Sequence, residues 1–98
     1  MIERLRNRWS RARSREPVRV TLYSRPGCHL CEDVRASLQK LAPRYPMTIE
    51  EIDISTSREL VRRYDLLIPV VRVDGGPELA APITEPDLVR VLKARVRG

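Results

Sequence analysis

Two cysteines, Cys28 and Cys31, are the residues of this 98-residue chain whose type and spacing point to chemistry. With two residues between them, a single helical turn brings their sulfurs within bonding reach. Such a pair either cycles between dithiol and disulfide or forms half of a metal site. Zinc takes four ligands, and the chain adds only one histidine, His29, wedged between the cysteines. An intrachain zinc site is therefore poor, and no metal site within one chain is expected. A zinc or iron–sulfur centre would need thiolates from two copies of the chain. Small secreted proteins that depend on disulfides carry more cysteines, closing longer loops. The pair therefore speaks for redox chemistry, with a dimeric metal centre as the alternative.

The elements around the pair decide where it sits. Val18–Ser24 is rich in β-branched residues and bracketed by Pro17 and Pro26-Gly27, which predicts a strand. A helix follows over about 28–41, with Leu30, Val34, Leu38 and Leu41 as its apolar stripe and Glu32 and Asp33 in its first turn. Pro43 and Pro46 stop it. Thr48–Ile54 is a second strand whose alternation slips by one residue at Glu50-Glu51, leaving its register open. Ser55 or Ser57 caps a short helix to about Tyr64, with Leu60, Val61 and Tyr64 inward. Val70–Val73, the Asp74-Gly75-Gly76 turn and Glu78–Ala81 form a hairpin. Thr84 caps a last helix, with Leu88, Val89, Leu92 and Val96 on its apolar face. The order β-α-β-α-β-β-α predicts an α/β domain: a four-stranded mixed sheet flanked by helices.

Charge adds little about function. The formal net charge is +6. Six arginines against Glu3 and Glu16 place +4 of it in residues 1–16, so the body carries only +2. The chain divides into a basic arm over 1–17, disordered or helical, and a domain over 18–98. In the arm, Ile2, Leu5, Trp9 and Ala12 recur at helical spacing. It reads either as a frayed extension or as an amphipathic helix for an anionic partner. The body lacks a basic stripe interleaved with aromatics, so a binding module built on the arm is the last-ranked function. No apolar run reaches the roughly 18 residues of a membrane span, and the first 17 residues hold no secretory h-region. A cytoplasmic monomer is expected.

A cysteine at the start of the first helix meets unpaired N–H groups and the positive end of the helix dipole. Helix N-termini and Cys-x-x-Cys motifs lower thiol pKa values from about 8.5 to roughly 3.5–7.5, favouring the attacking thiolate. Cys28, at the helix mouth, is expected to be the more exposed sulfur, and Cys31, one turn in, the more buried. His29 either stabilises that thiolate as an imidazolium or is a plain exposed side chain.

The stretch Tyr23-Ser24-Arg25-Pro26-Gly27-Cys28-His29-Leu30-Cys31 resembles the active site of glutaredoxins and glutaredoxin-like proteins of the thioredoxin superfamily. Ile68-Pro69, ahead of the third strand, is similar to the superfamily's cis-proline. The resemblance covers about 18–96 and implies a thioredoxin-like fold. It implies thiol–disulfide exchange with Cys28 as nucleophile and Cys31 as resolving thiol. Leu67, Ile68 and Pro69 would shape the substrate groove, with Ile68 offering backbone hydrogen bonds. Arg25 matches a basic position that helps hold a glutathione carboxylate, or is an ordinary loop cation. Thr84 would supply a hydroxyl or an amide at the last helix. Glutathione is the implied reductant or co-substrate, with a donor of the thioredoxin-reductase type as the protein alternative. Disulfide-bearing proteins or small thiols are the implied substrates.

The departures are specific. His29-Leu30 stands where Pro-Tyr is usual, and Leu67 where Thr is often found two residues before the proline. Ala80–Thr84 occupies the turn that in glutaredoxins carries Gly-Gly and Asp, while Gly75-Gly76 lie inside the hairpin. The chain is closer to a divergent glutaredoxin-like group than to a standard glutaredoxin.

Overall fold

The computed structural model describes residues 16–97, with side chains through Arg95. The stripe of the N-terminal arm and the side chain of Val96 lie outside the described residues. Seven elements and one 3-10 turn follow the expected order: β1 (Val18–Ser24), α1 (His29–Leu41), β2 (Met47–Asp53), a 3-10 turn (Ile54–Thr56), α2 (Arg58–Tyr64), β3 (Val70–Val73), β4 (Glu78–Ala80) and α3 (Glu85–Arg97). The sheet runs β2-β1-β3-β4, with β1 parallel to β2 and antiparallel to β3, and β3 antiparallel to β4.

Alternation along the strands divides the core by sheet face. Val20, Leu22, Val71 and Val73 point to one side, where α1 and α3 cover them with Val34, Leu38, Leu41, Leu88, Val91 and Leu92. A second, smaller cluster of Tyr23, Ile54, Tyr64 and Val70 lies around α2, with Ile52, Leu60 and Ile68 packed against it. The Tyr23 and Tyr64 rings stack at 4.3 Å between centroids. Tyr64 also donates its hydroxyl to Glu78 at 3.0 Å, tying α2 to β4.

Two expectations change. Leu30 is not on the buried stripe of α1: it is 60% exposed, and the buried residues are Cys31, Val34, Leu38 and Leu41. At about 100° per residue, the stripe that reaches Leu41 at spacings of three, four and three begins at Cys31, and Leu30 is turned outward. The open register of β2 is also settled. Strand pairing is regular from Val18↔Met47 to Ser24↔Asp53, opposite Leu22 stands Glu51, and Ile54 leaves the strand for the 3-10 turn. The slip in the pattern marks a carboxylate on the α1 side of an edge strand, where it has partners.

Candidate redox site at the start of the first helix

The turn Arg25-Pro26-Gly27-Cys28 carries the chain from β1 into α1. Cys28 donates its N–H to the Arg25 carbonyl at 3.3 Å, and Gly27 sits at φ +80°. Pro followed by a positive-φ Gly is the residue pattern of a type II turn. The turn delivers Cys28 to the N-cap of α1 in an extended conformation, where its Sγ accepts from the Cys31 N–H at 3.1 Å. Its carbonyl accepts from the Glu32 N–H at 3.1 Å. The two sulfurs are joined as a disulfide with their Cα atoms 5.2 Å apart. Cys28 is half-buried and Cys31 fully buried.

β3 runs antiparallel to β1 with Val70 opposite Tyr23, which puts Pro69 at the sheet end from which the Arg25–Cys28 turn leaves. Val70 also faces Ala80 on β4, so the loop from Ala81 to Thr84 emerges at that same end. The elements thus bring all the expected site residues to one end of the sheet. The Ile68–Pro69 and Ala81–Pro82 peptides are cis. Pro69 itself is fully buried, while Leu67 remains 44% exposed. Ile68 donates its N–H to the Tyr64 carbonyl at 3.0 Å, so that N–H is spent within the protein. The Leu67 carbonyl accepts from the Ala81 N–H at 3.2 Å, fastening the two loops together.

The polar groups expected to meet substrate have partners within the protein. Arg25 forms an ion pair with Asp65, in the loop that leads to Pro69. His29 Nδ1 stands 4.0 Å from Glu32. Thr84 donates its N–H and hydroxyl to Asp87 at 2.9 and 2.8 Å, and Asp87 returns its N–H to the Thr84 Oγ1 at 3.3 Å. This reciprocal cap satisfies the first turn of α3. Hydrogen bonds from the Thr84 backbone and hydroxyl, and then from Arg90, hold the Asp87 carboxyl below its ordinary range.

A further cluster braces the site from β2. Glu51 accepts from Arg35 of α1 at 2.6 and 2.5 Å, and from the buried Ser24 hydroxyl at 2.6 Å. The Arg35 hydrogen bonds, followed by that from Ser24, keep the Glu51 carboxyl below the usual carboxylate range against the opposing effect of burial. The same bonds raise Arg35 above its ordinary value. Sequence reading missed Glu51, Asp65 and Asp87. The broken alternation at Glu50-Glu51 and the Thr84-x-x-Asp87 spacing were signals for two of them. The sequence carried none for Asp65. Among the described residues, no group of three or more His, Cys, Asp or Glu is gathered in metal-binding geometry.

Residues 19–93 match the family model described as Glutaredoxin-like domain (DUF836). The chain belongs to the glutaredoxin-like family. The X-ray structure of protein XcR50 from X. campestris resembles this glutaredoxin-like domain with a TM-score of 0.67 and 32% identity, over 76% of this chain and 96% of that one. The solution structure of protein Ne2328 from Nitrosomonas europaea does so with a TM-score of 0.66 and 32% identity, over 81% and 91%. The structure of a malarial protein shares the fold, at 16% identity and a TM-score of 0.60 over 82% of this chain and 98% of that one. No curated protein sequence matches the chain significantly. The fold is thioredoxin-like, and the Cys-x-x-Cys pair in a glutaredoxin-like domain points to thiol redox chemistry.

Proposed function

We propose that this glutaredoxin-like domain is a thiol–disulfide oxidoreductase in which Cys28 attacks and Cys31 resolves. The observation that carries the reading is the asymmetry of the pair: a half-buried cysteine at the N-cap of α1, bonded to a fully buried one a turn further in. In the reducing direction, the Cys28 thiolate attacks one sulfur of a substrate disulfide. That S–S bond breaks, a mixed disulfide forms, and the first substrate thiolate leaves and takes up a proton. Cys31 gives up its proton and attacks the Cys28 sulfur, releasing the second substrate thiol and leaving the Cys28–Cys31 disulfide. Two electrons and two protons pass to the substrate, and an external dithiol must return them for another turnover. The N–H of Cys31 and the dipole of α1 favour the anionic sulfur at Cys28.

The test is exchange by cysteine variants that have been reduced with dithiothreitol, freed of it and offered a substrate disulfide, with intact mass as the readout. Cys28→Ser is expected to lose exchange, and Cys31→Ser to accumulate a mixed disulfide on Cys28. Undiminished exchange by Cys28→Ser overturns the reading.

A further inference from the structure

Three polar groups around the pair, Arg25, His29 and Thr84, are of the kind that would grip the carboxylates of a small anionic thiol. Each already faces a carboxylate of the protein: Arg25 is paired with Asp65, His29 stands 4.0 Å from Glu32, and Thr84 gives both of its donors to Asp87. Beside these paired groups the same end of the domain also exposes apolar side chains. Leu30, Leu66 and Leu67 are the exposed large hydrophobics among the described residues, at 60%, 94% and 44%. Leu30 lies between the two cysteines, and Leu66 and Leu67 lead to Pro69. A thiol carrying carboxylates competes with a protein carboxylate for each of these three groups, Arg25, His29 and Thr84. An extended apolar segment covers leucine side chains that otherwise stand in water.

We infer that Asp65 is a specificity-determining residue, holding Arg25 so that the site passes over carboxylate-bearing small disulfides and takes a disulfide set in an apolar protein segment. The inference rests on the redox reading above and names its substrate class. The chemistry is unchanged: the protein dithiol becomes its disulfide as the substrate disulfide becomes two thiols.

The test follows oxidation of the reduced protein, at low ionic strength, by three disulfides. These are glutathione disulfide, the uncharged bis(2-hydroxyethyl) disulfide, and a terminally blocked peptide disulfide flanked by leucines. Wild type is expected to react faster with the peptide than with glutathione disulfide. Asp65→Asn frees Arg25, and the ratio of the glutathione rate to the uncharged-disulfide rate is expected to rise about two- to fivefold, the worth of one exposed charge pair. Arg25→Gln in the Asp65→Asn background should return that ratio to the wild-type value, which separates release of the guanidinium from a general loosening of the loop. Leu66→Glu, at a side chain standing almost wholly in solvent, should slow the peptide reaction roughly tenfold. An unchanged ratio in Asp65→Asn overturns the inference, as does a Leu66→Glu protein that reacts with the peptide like wild type. If none of the three disulfides oxidises the wild-type pair while Cys28 still alkylates, the redox reading itself fails and the inference falls with it.

Discussion

The Cys31 amide donates to the Cys28 sulfur at 3.1 Å, so the sulfur assigned the attack is also the cap of α1. In the proposed mechanism one atom serves both stability and chemistry, and the two roles separate by substitution. Serine is a favoured N-cap, whereas alanine at that position costs about 0.5–2 kcal/mol. Among reduced proteins, Cys28→Ser is expected to unfold close to wild type in denaturant and Cys28→Ala measurably earlier, although both lose exchange.

The same geometry predicts how the reduced thiols differ in reactivity. Cys28 should alkylate before the buried Cys31, and should stay reactive below pH about 8.5, where an ordinary thiol loses its thiolate. Peptide mapping after timed alkylation checks both points. Equal labelling of the two cysteines would contradict them.

Glu51 joins β2 to α1 through Arg35 and to β1 through Ser24. Its carboxyl ionises more readily in the folded protein than its ordinary value of 4.5. The stability this contributes is therefore present above the unfolded value and is lost as the pH falls through the lower folded one. Glu51→Gln should flatten the acid limb of a stability-against-pH curve. Glu51→Ala should cost about 1 kcal/mol near neutrality by leaving the buried Ser24 hydroxyl without its acceptor.

Tyr64 gives an alkaline counterpart. Burial, and next its hydrogen bond to Glu78, push its phenol up to about 12 from an ordinary 10.0. A raised folded value means stability that is complete below the unfolded value and lost as the pH climbs through the folded one. Tyr64→Phe should remove the alkaline loss. At neutral pH it should cost about 1 kcal/mol, the net value of one hydrogen bond. A spectrophotometric titration of the tyrosines reads the first effect, and denaturant unfolding the second.

Leu38 is fully buried between α1, α3 and the sheet. Leu38→Ala is expected to cost about 2–5 kcal/mol, a large fraction of the stability of so small a domain. Denaturant unfolding of the reduced protein measures this without the disulfide contributing.

Most of the architecture is legible in the sequence, because it is written in short-range patterns. Alternating β-branched residues mark β1, Pro26-Gly27 marks its end, Asp74-Gly75 the hairpin, and Thr84 the start of α3. The place of Cys28 at a strand-to-helix turn follows from the same local signals, and with it the redox chemistry proposed for the pair. Tertiary structure decided which neighbours those residues keep. Arg25 looked free along the chain, yet its partner Asp65 is 40 residues away. Glu51 looked like a break in a strand until pairing with β1 put it opposite Leu22 and within reach of Ser24 and Arg35. Leu30 fitted a helical spacing by count, but the packing of α1 on the sheet chose the stripe that begins at Cys31 and left Leu30 in water. Periodicity is a property of adjacent residues and survives in the sequence. Charge pairing and exposure depend on which distant segments the sheet register and helix packing bring together, and these were decided only when the chain folded.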